Sequence, residues 1–89
     1  MKSYKLYNRY NDRIILEDIG DNKYKLITPS TIRISKEDDK INFIDPSGGP
    51  FITKDTNLGV YDPEDNHFIK TLKVESIINE GKYFVLQMK

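Results

Sequence analysis

Residues 62–88 read D-P-E-D-N-H-F-I-K-T-L-K-V-E-S-I-I-N-E-G-K-Y-F-V-L-Q-M, and the class of fold turns on whether they begin a helix or a strand. Asp62-Pro63-Glu64-Asp65 suits a type I turn with proline at its second position. It suits a helix N-terminus equally, with an Asp cap, proline at the first helical position and acids in the first turn. The following residues decide. Phe68, Lys70, Leu72, Val74, Ser76 and Ile78 alternate with Ile69, Thr71, Lys73, Glu75 and Ile77, and β-branched residues recur throughout. A period of two held over that length is a strand. Asn79-Glu80-Gly81-Lys82 then makes a hairpin loop, and Tyr83 to Met88 returns with Phe84, Leu86 and Met88 on the core face.

The same grammar extends toward the N-terminus. Tyr4, Leu6, Asn8 and Tyr10 alternate with Lys5, Tyr7 and Arg9, so a strand is expected there, closed by Asn11-Asp12. A second strand spans Arg13 to Ile19, with Ile14 and Leu16 on one face and Ile15 and Ile19 on the other. Gly20-Asp21-Asn22 turns it into Lys23 to Thr28, where Tyr24 and Leu26 face inward. Pro29 interrupts the ladder because it has no N–H to give. Ile32 and Ile34 mark a fourth strand, Lys36 to Lys40 a charged hairpin tip, and Ile41 to Asp45 a fifth strand. Phe51 to Thr53 is a short sixth one, and Gly59 is expected to mark a turn.

These strands number about six to eight, and no helix is expected. The chain therefore reads as one all-β domain over residues 1–89, a small antiparallel barrel or sandwich of SH3-like or OB-like type. Apolar residues on the faces turned away from the core, Ile15, Ile19, Ile27, Ile44, Ile52, Ile69 and Ile77, exceed what so short a chain covers. They suggest a second packed sheet, or contact with another copy or another protein.

Composition narrows the function classes. The 89 residues contain no Cys, no Trp and no Ala, and 14 basic side chains balance 14 acidic ones. Without cysteine there is neither a disulfide nor thiolate chemistry. Neutral net charge disfavours tight nucleic-acid binding, which draws on an excess of basic groups. It also removes the self-repulsion that keeps small proteins apart, so a homo-oligomer is expected. No stretch is long and apolar enough to span a membrane and no signal-like segment opens the chain, which makes a cytoplasmic protein the expectation. His67 is the single histidine and follows Asp65-Asn66 in a turn. No catalytic pair, phosphate loop or dinucleotide fingerprint is present, so the chain is expected to be no enzyme and to need no cofactor or metal.

Two stretches are candidate ligand sites. The first is Asp45-Pro46-Ser47-Gly48-Gly49-Pro50. There Ser47, Gly48 and Gly49 can turn successive N–H groups toward one anion. The plainer reading is a strand-to-strand corner that closes the barrel. The second is the N-terminal strand, where Lys5 and Arg9 are interleaved with Tyr4 and Tyr7. Basic groups beside stacking rings suit a nucleotide base or single-stranded nucleic acid. The plainer alternative puts Tyr4 in the core with lysine stems lying along the outside.

At I-D-P-S-G-G-P-F-I, Ile44 to Ile52, and at E-G-K-Y-F-V-L, Glu80 to Leu86, the chain resembles small β-rich proteins of phages and mobile elements. The resemblance covers the C-terminal half. It implies a counter-defence protein acting in the host cytoplasm by blocking a host protein or sequestering a small nucleotide-like signal. The alternative it implies is a structural or assembly module with an SH3-like barrel. A third expectation, single-stranded nucleic-acid binding, comes from the N-terminal strand alone.

Overall fold

A computed structural model describes residues 2–6, 14–28, 33–37, 40–44 and 51–89. Among them are nine strands and no helix: β1 (Ser3–Leu6), β2 (Ile15–Gly20), β3 (Lys23–Ile27), β4 (Arg33–Glu37), β5 (Lys40–Ile44), β6 (Phe51–Thr53), β7 (Asn57–Tyr61), β8 (Phe68–Asn79) and β9 (Phe84–Met88). Six of them close a barrel in the order β1-β2-β3-β9-β8-β7, and β4-β5-β6 form a separate three-stranded sheet. The expected small barrel is present, and every pairing in it is antiparallel.

Local chemistry sets the hairpins. Between β2 and β3, Gly20 pairs with Lys23, and Asp21 and Asn22 take φ of 56° and 60°. Two consecutive left-handed residues define the two-residue turn whose twist matches the flanking strands, and Asp and Asn tolerate that conformation better than other side chains. β4 and β5 pair as far as Glu37 with Lys40, so Lys36, Glu37 and Lys40, expected in a charged tip, lie in the strands; residues 38 and 39 lie outside those described. β5 and β6 pair Lys40 with Thr53, Ile41 with Ile52 and Asn42 with Phe51. The Pro/Gly stretch therefore joins two neighbours of the second sheet and is no corner of the barrel wall. Its own residues, 45–50, lie outside those described.

The barrel interior holds the alternate residues expected of β2, β3 and β9. Leu16, Leu86 and Val74 have no exposed surface, and Tyr24, Leu26 and Met88 are nearly as enclosed. The Tyr4 ring lies tilted against Tyr24, with centroids 6.1 Å apart. Ile41 and Ile52 belong to the same apolar cluster. Because neighbouring barrel strands alternate in direction, β3 ends and β7 begins at the same end. The β4–β6 sheet, inserted between them, places Ile41 and Ile52 over that end as a lid on the core.

Three expectations change. Gly59 is no turn residue; it sits inside β7, paired with Thr71. A side chain on its outer face would touch the Tyr61 and Phe68 rings at 3.7 Å, and those rings meet edge to face at 5.6 Å. Aromatic rings laid over a strand glycine replace the packing that glycine lacks. β8 does not keep one phase: its register on β9 shifts between Val74 and Ser76. A bulge adds one residue and exchanges the faces. Val74 and Ile77 therefore both point inward, 0% and 6% exposed. A second shift, on β7, pairs Val60 with Lys70 but Tyr61 with Phe68, and Phe68 is 54% exposed. Finally, Ile52 and Ile77 are core residues and Ile69 packs against the core, whereas Ile19 and Ile27 are exposed and Ile15 half-buried; the Ile44 side chain lies outside those described.

Leu86 is fully enclosed and sits between Tyr24 and Ile77 in the ladder. Leu86→Ala is expected to cost about 2–5 kcal/mol in urea denaturation. Phe68→Ser at the exposed ring should cost well under half of that in the same measurement.

Candidate functional site

The site lies where β3 and β9 part. Their ladder runs from Lys23 opposite Gln87 to Leu26 opposite Phe84. Beyond that pair β3 ends at Ile27 and the chain runs on through Thr28, while the segment leading into β9 bends away through Gly81 to Tyr83. The bend is held locally. The Glu80 N–H donates to the Tyr83 carbonyl at 3.0 Å, and the Gly81 N–H donates to Asn79 Oδ1 at 2.9 Å. Gly81 has φ of 94°, a conformation that side-chain-bearing residues rarely adopt.

Between the parted strands is an open groove of about 650 Å³, lined by Lys25, Leu26, Ile27, Thr28, Gly81, Lys82, Tyr83 and Phe84. That size falls within the range of small-molecule sites, roughly 300–1,000 Å³. Its chemistry follows from strand register. Lys25 stands opposite Val85 on the outer face, and Tyr83, two residues before Val85, is its diagonal neighbour. Diagonal cross-strand partners lie within reach of long and aromatic side chains. The Lys25 ammonium accordingly sits 4.5 Å from the Tyr83 ring centroid. Tyr83 is 37% exposed and Ile27 38% exposed. Glu17 faces Lys25 from β2, and Lys82 brings a second cation to the loop. No carboxylate or imidazole is among the lining residues. Such a groove can take a planar ring on Tyr83 and an anionic group on its lysines.

The residues singled out in the sequence do not gather here. Tyr4 is turned into the barrel, 5% exposed, with the Lys2 and Lys70 ammoniums 5.5 and 5.3 Å from its ring centroid. It offers no open stacking face, because period-two alternation puts it on the same side as Leu6. Lys5 points outward, and its ammonium donates to Asn66 Oδ1 in the β7–β8 turn. Tyr7, Arg9, Ser47, Gly48 and Gly49 lie outside the described residues. Lys25, Lys82 and Tyr83 were missed. Their local signal is Tyr83 directly after the Gly81 loop, out of phase with Phe84 and so destined for the outer face. Nothing local to that loop indicates that Lys25 lies across from it.

A second cluster occupies the β7–β8 turn at the opposite end of the barrel, where donor atoms of Asp62, Asp65 and His67 lie within 4.8 Å of one another. Its carboxylates serve the turn. Asp62 Oδ1 accepts from the Glu64 N–H at 2.8 Å and the Asp65 N–H at 3.2 Å. Asp65 Oδ1 accepts from the His67 N–H at 3.1 Å and contacts the imidazole Nδ1. The His67 backbone N–H, followed by its imidazole, holds the Asp65 carboxyl below its ordinary value. Aspartate side chains bonded to the backbone two residues on are turn-building devices.

Comparison with protein-family models, with curated proteins and with solved structures finds no match for this chain. Among the described residues no helix is long and apolar enough to cross a membrane.

A lowered folded-state pKa adds stability above the unfolded value, lost as pH falls through the folded one. Asp65, whose ordinary value is 3.8, is such a group. The stability advantage of the wild type over Asp65→Asn should therefore hold at neutral pH and shrink as pH falls through 3.8 and below in urea titrations. A gap that widens on acidification would contradict the assignment.

Proposed function

We propose that this chain is a non-enzymatic binding protein whose groove beside the β8–β9 loop takes a small, planar, anionic ligand of the nucleotide kind. The observation that carries this is the Tyr83 ring, 37% exposed at the mouth of the groove, with the Lys25 ammonium over one face and Lys82 next to it in the chain. A half-exposed ring supplies a stacking platform, and the two lysines supply partners for phosphate. The lining offers no carboxylate or imidazole, the usual proton-transfer groups of a catalytic site. In the phage setting implied by the resemblance, the ligand would be a host nucleotide signal and the protein's role its sequestration.

Calorimetric titration with a panel of nucleoside monophosphates tests this. Wild-type protein is expected to bind, and Tyr83→Ala to bind at least about tenfold more weakly, the cost of losing one stacking platform. Tyr83→Phe should retain affinity, since only the ring is used. Failure of the wild type to bind any member of the panel would remove the proposal.

A second reading is self-association as an assembly module, and it is favoured by one observation. Ile27 is exposed beside the exposed Tyr83, with the half-buried Ile15 opposite it on β2. If these residues meet a second copy, sedimentation should give a dimer or higher species that Ile27→Lys converts to monomer. A wild-type monomer at the highest attainable concentration would remove this reading.

A further inference from the structure

The contact between Lys25 and Tyr83 does more than assemble the groove. An ammonium 4.5 Å from the ring centroid occupies one face of Tyr83. A flat ligand cannot stack on that face while the ammonium stays there. On an exposed ring such a contact is weak, so it yields to a better partner. Charged neighbours of Lys25 include Glu17, opposite it on β2, Lys23, two residues earlier on the same face of β3, and Lys82, a second lining residue. The Lys25 stem leaves β3 beside the buried Val85, so the head group is the part free to swing.

Resting on the groove as a nucleotide site, we propose that Lys25 is its specificity-determining residue. It covers the Tyr83 ring in the free protein and surrenders it only to a ligand that carries an anionic group next to its planar ring. The ligand class is then a phosphorylated nucleoside, discriminated from the unphosphorylated one. A nucleoside has to displace the ammonium and gives it nothing in return. A nucleoside phosphate displaces it and accepts it as a charge-assisted hydrogen-bond partner. In population terms, the stacking-competent state is a minor one of the free protein. Every ligand bears that cost, and only the phosphorylated one recovers it.

The test compares adenosine, adenosine monophosphate and a short oligothymidylate on the wild type and on Lys25→Met, which keeps the length of the stem and removes the charge. The wild type should prefer the monophosphate to the nucleoside by about tenfold, the size of one charged hydrogen bond. In Lys25→Met the preference should fall severalfold, to what Lys82 alone supplies, by weaker monophosphate binding together with equal or tighter nucleoside binding. Nuclear magnetic resonance gives an independent readout. The Lys25 methylene protons next to the ammonium should be shifted upfield by the ring in the free protein and lose that shift on adding the monophosphate. If the wild type binds neither small ligand, the groove assignment itself fails. If it binds both and Lys25→Met keeps the full preference, the groove stands and the role of Lys25 falls. Oligothymidylate binding far tighter than the monophosphate, with affinity dropping steeply with salt, would overturn the ligand class in favour of single-stranded nucleic acid.

Discussion

The structure depends on the pairing of β1 with β7. Lys5 opposite Tyr61 and Leu6 opposite Val60 are the register that closes the sheet on itself. Without it, β1 and β7 would be two edges with unpaired N–H and C=O groups, open to pairing with another chain. With it, the inward residues of the six strands face one another around one interior. Leu6 and Val60 are themselves buried there, 4% and 0% exposed. A neutral chain of this size has little charge repulsion to keep edges apart, so closure also protects it from edge-to-edge association.

Closure decides which ends of the barrel need covering. At the end holding the β7–β8 turn, the Tyr4 ring fills the opening, with the Lys2 and Lys70 ammoniums close to it. At the other end the inserted sheet supplies Ile41 and Ile52 to the core. The two ends are thus sealed in different ways: one by a ring under cations, the other by an apolar lid built from an insertion. Lys5, which the sequence suggested as a ligand partner on the N-terminal strand, is engaged at the same end in its contact with Asn66.

What the sequence made legible follows from how local each signal is. Alternation within one strand is local, and it correctly set the inward residues of β2, β3 and β9. The turn at Asp21-Asn22 is local too, because two positive φ angles ask for Gly, Asn or Asp. Phase errors came from bulges. One extra residue between Val74 and Ser76 turns Ile77 inward, and no residue type there announces it. Gly59 misled for a related reason. Glycine signals a turn unless something covers it, and the Tyr61 and Phe68 rings that do so lie on two strands. The pair Lys25 and Tyr83 is 58 positions apart in the chain and meets only through the register of β3 on β9. It could be read from the sequence only once that register is known.

The groove follows from the insertion rather than from any motif of its own. β3 does not stay paired with β9 to its end: Ile27 still pairs with Ile15 of β2, but β9 begins only at Phe84, opposite Leu26, and after β3 the chain goes on to build the β4–β6 sheet. β9, for its part, is entered through the tight bend at Gly81. Two strands that diverge for independent reasons leave a gap on the outer face, and the first outward residues on either side of it are Lys25, Ile27 and Tyr83. A cation, an aliphatic side chain and an aromatic ring at such a gap are what the topology places there. A barrel that kept β3 and β9 paired to their ends would carry the same three residues as a flat patch of wall, with no depth to hold a ligand.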